Sequence, residues 1–323
     1  AQVAVRIAKL AAGEELWLSR LQGWALPFLS NALRACNDLP GAETVLARGR
    51  ALWEAGAPGD PGVLNETWLP WIEANLRKDQ RRFAEALQRI DEALALDTGE
   101  LRAQTLMSKS NILRRLDDSE ASTAVLLEAE PLIDAEGEPR LAFGVRFNLV
   151  ADLCALGRVA EAELRLPAVQ ALAKRLGEPL DLIRCRWLQG KIHAGLGRVD
   201  EALAAFGQVR RTFGEQRLAY DYALVSLELS LLLLEQGRAA EVAALAAEML
   251  WIFEAQEVHR EAVAALRIFC DAAKRTAATV ELAQRIGRYL RRAQLDPELR
   301  FEDDRERVRG AARAEPMGPA MGS

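Results

Sequence analysis

Apolar and polar residues alternate with a helical period along most of the chain. Between 199 and 213, for example, Ala202, Ala205, Phe206 and Val209 fall at i, i+3, i+4 and i+7, one face of an α-helix. Such stripes come in pairs, and the pairs repeat. Gly157-Arg158-Val159-Ala160-Glu161-Ala162 returns 40 residues later as Gly197-Arg198-Val199-Asp200-Glu201-Ala202 and 40 later again as Gly237-Arg238-Ala239-Ala240-Glu241-Val242. A further step reaches 277–282, with Glu281 in register with Glu241, and Gly137-Glu138-Pro139 independently recurs as Gly177-Glu178-Pro179. A fixed period of this length predicts stacked supersecondary units. Each unit reads as a hairpin of two helices, A and B. In the fifth, Pro179 opens helix A at a place where its missing N–H costs nothing, helix A runs to about Leu196, Gly197 supplies a left-handed turn, and helix B runs from Val199 to about Phe213, ending near Gly214.

Two columns of mostly small residues support the hairpins. Seven residues before the turn stand Ser30, Ala74, Ser110, Val150, Gly190, Ser230 and Cys270; five after it stand Ala42, Ala86, Ser122, Ala162, Ala202, Val242 and Leu282. Larger side chains at both columns would push helices A and B beyond the usual interaxial distance of roughly 8–10 Å. The predicted fold is all-α, with seven hairpins at about 14–56, 62–97, 99–136, 138–176, 178–214, 216–256 and 258–295 forming one solenoid over 1–301. Pro27 and Pro70 in nominal A helices and Pro167 in a B helix should kink or restart them, so hairpins one, two and four are expected to be irregular. Ala55–Gly62 is the breaker-rich loop between hairpins one and two, and 302–323 is expected to be a polar, disordered tail.

With Gly190, Gly197, Ala202 and Phe206 in hairpin five, and Arg82-Phe83-Ala84-Glu85-Ala86-Leu87 with Ala93-Leu94 in hairpin two, the chain resembles the tetratricopeptide repeat family over roughly 14–295. It departs from that family in its period, 40 rather than 34. HEAT-type repeats lie near 40, but the glycine turn followed by x-x-x-x-Ala favours the tetratricopeptide type. The stretch from Glu248-Met249-Leu250-Trp251 to Phe301 also resembles the end of a group of uncharacterised bacterial tetratricopeptide proteins, a likeness that names no activity. The resemblance implies a right-handed α-α superhelix whose A helices line a concave, segment-binding face.

Composition narrows the functional classes. Two histidines and four cysteines in 323 residues leave little for metal sites or histidine-based catalysis. His193 falls at a packed aromatic position of its A helix, and His259 lacks the second histidine of a zinc-protease motif. Cys270 belongs to the small-residue column; Cys154 faces the groove without an accompanying base. Phosphate-binding and nucleophile-elbow glycine motifs are missing from the sequence. The chain therefore reads as no enzyme, with no cofactor and no metal. Its 42 basic and 47 acidic residues, net −5, disfavour direct nucleic-acid or anionic-membrane binding. The longest apolar run, Leu229–Leu234 with Ser230 inside it, is far short of the roughly 20 residues of a membrane span. A cytoplasmic location is expected.

Carried onto this chain, the groove position six residues before the turn holds Asn31, Asn75, Asn111, Ala151, Lys191, Leu231 and Asp271. An amide both donates and accepts, so successive asparagines can hold an extended backbone of varied sequence. Arg34, Lys78, Arg114 and Arg115 lie around them at helical spacing, with Trp68, Trp71 and Met107 one or two turns earlier. Each also has an ordinary structural role open to it, since asparagine is frequent here without a ligand, surface cations are usually solvated and tryptophan is usually core. The basic residues do not reproduce the family's carboxylate clamp. In hairpin six the same face is apolar, Leu224, Leu227, Leu231 and Leu234. A partner's helix or the chain's own C-terminal helices must cover it, and the aggregation hazard of an open patch favours the latter.

These features predict a non-catalytic scaffold that holds a protein or peptide segment on its concave face, an acidic segment fitting best. The oligomeric state is left open. The absence of methionine at Ala1 motivates a second reading, a sensor module of a bacterial regulator that follows a DNA-binding or signalling domain and responds to a peptide or small ligand.

Overall fold

A computed structural model describes residues 15–56, 64–97, 99, 101–294 and 299–301. Most of the loop expected at Ala55–Gly62 and the whole tail 302–323 lie outside the described residues. The chain divides into two compact units, Ala1–Glu178 and Pro179–Ser323. The first holds α1 (Glu15–Ala35), α2 (Leu39–Ala55), α3 (Trp68–Asp79), α4 (Phe83–Leu96), α5 (Arg102–Arg115), α6 (Ser119–Ala129), α7 (Pro139–Ala155) and α8 (Val159–Leu176). The second holds α9 (Pro179–Gly195), α10 (Val199–Glu215), α11 (Ala219–Glu235), α12 (Ala239–Ala255), α13 (Arg260–Lys274) and α14 (Val280–Ala293). Among the described residues these are seven antiparallel hairpins, and successive hairpins stack within each unit. The fold is all-α, of the α-α solenoid class.

The turns explain the repeat signature. Gly157, Gly197 and Gly237 have φ of 72°, 73° and 69°, the left-handed conformation that closes each A helix. The following N–H groups return to the helix: Arg158 N donates to the Leu153 carbonyl at 2.9 Å and Arg238 N to that of Leu233 at 2.8 Å. The arginine after the glycine then stands at the start of helix B and forks onto the glutamate three residues on. Arg158 reaches Glu161 with two bonds of 2.7 Å, and Arg238 reaches Glu241 at 2.6 and 2.7 Å. These pairs are exposed and screened by solvent, so they add little to stability. Their recurrence is what makes Gly-Arg-x-x-Glu visible in the sequence.

The small-residue columns sit where A and B touch. Ala42, Ala86, Ser122, Ala162 and Ala202 are fully buried. Ser30 Oγ donates to the Ala42 carbonyl at 2.8 Å, and a Cβ added at Gly190 would stand 2.6 Å from the Phe206 ring. Hairpin seven departs from the expected register. Its left-handed residue is Thr276, φ 56°, one position early, and α14 starts only at Val280, capped by Thr279 Oγ1 accepting from Leu282 N at 3.2 Å. Phe269 therefore takes the place expected for Cys270, and Ala283, 1% exposed, the place expected for Leu282.

None of the three prolines restarts its helix. α1 runs through Pro27 and α8 through Pro167, while Pro70 lies in the first turn of α3, where no intrahelical bond is lost. Pro167 is exposed, so water can serve the carbonyl it leaves unpaired. The interrupted hairpin is the third. There Pro131 ends α6 early and turns the chain into a 3-10 segment, Glu130–Leu132.

Candidate functional site

In the first unit the A helices α1, α3, α5 and α7 pack in succession, and the predicted groove residues lie along them. The aromatic members form a chain of edge contacts. Trp24 meets Phe28 with ring centres 5.0 Å apart, Phe28 meets Trp68 at 5.2 Å, and Trp68 meets Trp71 at 5.4 Å. All four are half-buried, so each both packs and shows a face. Trp71 is held by its indole N–H, which donates to Ser108 Oγ of α5 at 3.1 Å. Met107 lies against α7, where a Cβ at Gly144 would come within 2.6 Å of the Met107 methyl. Trp24 and Phe28 were not singled out in the sequence. The signal was their i, i+4 spacing on α1, one turn before the hairpin-one asparagine.

The three asparagines are oriented by the chain itself. Asn31 Oδ1 accepts from Arg34 Nε at 3.1 Å, and Asn111 Oδ1 accepts from Asn148 Nδ2 at 3.3 Å. Asn75 is almost wholly buried, donating to the Trp71 carbonyl at 2.9 Å and accepting from Lys78 Nζ at 3.2 Å. Asn148 continues the amide row into hairpin four, one helical turn before Ala151, where the expected column breaks off.

The basic residues separate into two sets. Arg34 and Lys78 both pair with Asp79, Lys78 at 3.5 Å, and the charge of Arg115 acts on both Asp79 and Lys78. Two cations thus pair with a single carboxylate, and a third, Arg115, adds its charge nearby. Burial, together with the charges of Arg34 and Arg115, pulls the Lys78 ammonium below its ordinary range, and Asp79 offsets this only in part. Arg115 itself is exposed. Arg114 belongs elsewhere: it donates to the Asn148 carbonyl at 3.1 Å and pairs with the buried Asp152 at 3.3 Å. Ser122 Oγ donates to the other Asp152 oxygen at 2.6 Å and lies 2.9 Å from Ser110 Oγ. Burial pushes the Asp152 carboxyl upward, against the lowering effects of Arg114 and Ser122.

A second polar network lies between hairpins one and two. Glu73, 4% exposed, receives Arg50, Arg77 at 3.2 Å and Arg89 at 3.3 Å, and Arg77 extends it to Glu43 and to Glu85 at 3.8 Å. This network joins α2, α3 and α4. A buried carboxylate with three guanidinium partners is a packing device with every charge answered.

The second unit arranges its A-helix face differently. Leu224 and Leu227 of α11 are buried, Leu231 and Leu234 are half-buried, and α14 packs across the same helix. Leu227 lies against Gly287, where an added Cβ would be 3.8 Å away. Lys191 pairs with Glu228 at 2.7 Å, and Arg291 of α14 approaches the same oxygen at 3.8 Å. Lys191 also stands 5.3 Å over the Trp187 ring. Burial raises the Glu228 carboxyl, but Lys191 and Arg291 outweigh it and hold it below its usual range.

Neither histidine gathers a catalytic set. His259 precedes α13 and its Nδ1 lies 2.6 Å from Tyr220 Oη, while Nδ1 of the half-buried His193 has no hydrogen-bond partner among the described residues. Cys154 is half-buried, and burial carries the Cys185 thiol up to about 12. Among the described residues there is no cluster of three or more histidine, cysteine or acidic side chains able to hold a metal ion. No helix among them is long and apolar enough to cross a membrane.

The fold and this face define a helical-hairpin repeat protein with an open, polar and aromatic surface in its first unit. Among solved structures it is similar to a Rap protein crystallised in complex with competence and sporulation factor: TM-score 0.60 and 14% identity, over 90% of this chain and 80% of that one. It is also similar to the Rap conjugation gene regulator of the plasmid pLS20 in complex with the Phr* peptide, with a TM-score of 0.53 and 10% identity over 85% and 86%. No protein-family model and no curated protein matches the chain. Likeness at these identities shows the fold.

Proposed function

We infer that the chain is a non-catalytic, tetratricopeptide-type scaffold whose first unit receives an extended, acidic peptide segment across α1, α3 and α5. The observation that carries this reading is the pairing of Arg34 and Lys78 with one carboxylate, Asp79, within reach of the exposed Arg115's charge and beside the half-exposed Phe28, Trp68 and Trp71. A carboxylate arriving there relieves repulsion among three cations, and the rings and Met107 offer apolar contact to the side chains beside it. Asn31, Asn111 and Asn148 would meet the peptide backbone. Asn75 and Arg114, committed to internal partners, would hold the face in shape. Lys191, paired within the second unit, has no part in this surface.

The comparisons favour the regulatory form of the same reading. Both similar structures are Rap proteins bound to a peptide or factor, and one is a gene regulator. On that footing the peptide is a signal to which the scaffold responds. A random heptapeptide library panned on the immobilised full chain tests the proposal. Wild type should enrich Asp- and Glu-rich sequences carrying apolar residues, and Arg34→Glu with Arg115→Glu should lose them while keeping its helical circular dichroism. Enrichment without acidic bias, or enrichment unchanged in the variant, would overturn it.

A further inference from the structure

The second unit also carries a cavity at the ends of its B helices. The C-terminal ends of α10 and α12 and the first turn of α11 enclose a cavity of about 540 Å³. One wall is apolar. Trp251 is 68% exposed, the only large aromatic side chain among the described residues to stand so open, and Ile252 lies behind it. The opposite wall is basic: Arg210, Arg211 and Arg217 line the same cavity. Arg211 and Trp251 occupy the same repeat position, 40 residues apart, on the B helices of hairpins five and six.

The charges in this cavity are unequally answered. Arg210 donates to Glu248 at 2.8 Å and to Tyr222 Oη at 3.2 Å, and lies 5.7 Å over the Tyr222 ring. Glu248 and Tyr222 are thereby engaged. Among the described residues, the side chains of Arg211 and Arg217 make no ion pair or hydrogen bond, and the remaining carboxylate on the lining, Glu215, is paired with neither.

We propose that this cavity docks a partner-protein segment presenting an apolar side chain flanked by carboxylates, the apolar group against Trp251 and Ile252 and the carboxylates on Arg211 and Arg217. An exposed indole in a concave site loses water contact on docking, and guanidinium groups without counter-ions bind carboxylates by paired, charge-assisted hydrogen bonds. The surface is separate from the peptide face of the first unit and does not depend on it.

The test follows the indole N–H resonance of Trp251, assigned with Trp251→Phe, in the full chain. The probes are three blocked pentapeptides: one with phenylalanine flanked by two glutamates, one with glutamines in their place, and one with glycine replacing the phenylalanine. The first should shift the resonance saturably, and the other two at least tenfold more weakly. Arg211→Glu with Arg217→Glu should remove the shift while leaving the circular dichroism intact; both side chains are exposed, so folding does not depend on them. No saturable shift, or an equal shift with the glutamine peptide, would overturn the proposal. Binding that spares the Trp251 resonance would also overturn it, because it would place the peptide elsewhere on the chain.

Discussion

The A-helix faces of the two units start from the same repeat and end in opposite chemistry. In hairpins one to three of the first unit the position six residues before the turn carries amides, near cations and half-buried rings. In the second unit hairpin six carries Leu231 there, and with Leu224, Leu227 and Leu234 it gives α11 a leucine stripe over which α14 lies. A helix is a poor cover for a charged, hydrated surface and a good one for an apolar stripe, because burial is favourable only where little water must be stripped from polar groups. One face is therefore closed by the chain's own sequence. The other, on the proposed function, is the face that receives a ligand.

The largest effect that can break this contrast is on stability. Leu227→Ala removes a side chain that is 3% exposed beneath α14, and it should cost about 2–5 kcal/mol in urea unfolding. Arg115→Ala on the open face should change stability by less than about 0.5 kcal/mol. Similar costs at the two sites would mean that both faces serve packing alike.

A smaller effect of opposite sign in the two units should appear with pH. Burial raises the Asp152 carboxyl above its unfolded value, so the folded state holds its proton longer, and stability on its account falls as pH rises from the unfolded value through the raised one. Glu228 is lowered, so its contribution is present above the unfolded value and is lost as pH falls through the folded one. Unfolding free energies should be followed between about pH 4 and 7 for wild type, Asp152→Asn and Glu228→Gln. The advantage of wild type over Asp152→Asn should shrink as pH rises, whereas its advantage over Glu228→Gln should shrink as pH falls. Slopes of one sign for both pairs would remove the electrostatic half of the contrast.

The repeat made the fold legible because each hairpin obeys the same steric rule: a left-handed turn, then small residues where A meets B. Where the chain departs from that rule, periodic reading slips, as at Thr276, two loop residues longer than its counterparts, and at Pro131, where a single ring ends a B helix. The candidate site was legible only as a list of side chains on one face. Position alone could not tell that Arg114 turns inward to Asp152 while Arg115, the next residue, stays out. Nor could it supply Asp79, the carboxylate that gathers the cations, or Asn148, because both lie off the repeat column and are brought in by tertiary packing. The cavity beside Trp251 escaped notice for a related reason. Two of its lining residues, Arg211 and Trp251, come from equivalent positions on B helices of different repeats, and others come from the loop and helix that join those repeats.

The subtlest difference between the units lies in their A–B turns. The second unit closes hairpins five and six with glycine, at Gly197 and Gly237, and only the seventh with a residue that has a Cβ, Thr276. The first closes hairpins one to three with Asn37, Arg81 and Asp117 at φ of 63°, 65° and 59°, and only the fourth with Gly157. A residue with a Cβ is strained in this region by roughly 1–2 kcal/mol, less for asparagine and aspartate, whereas glycine is not. Part of the gain from glycine is offset by the greater freedom it gives the unfolded chain. Asp117→Gly should therefore stabilise the protein by only about 0.5 kcal/mol, and Gly197→Ala should destabilise it by about 1 kcal/mol, both read as shifts in thermal unfolding. Asp117 is exposed and its backbone N–H already donates to the Arg114 carbonyl at 3.3 Å, so glycine keeps that bond and loses only the side chain. If Asp117→Gly destabilises the protein instead, the aspartate side chain is contributing to the first unit beyond the geometry of its turn, and the non-glycine turns belong with Asp79 among the features that distinguish its open face.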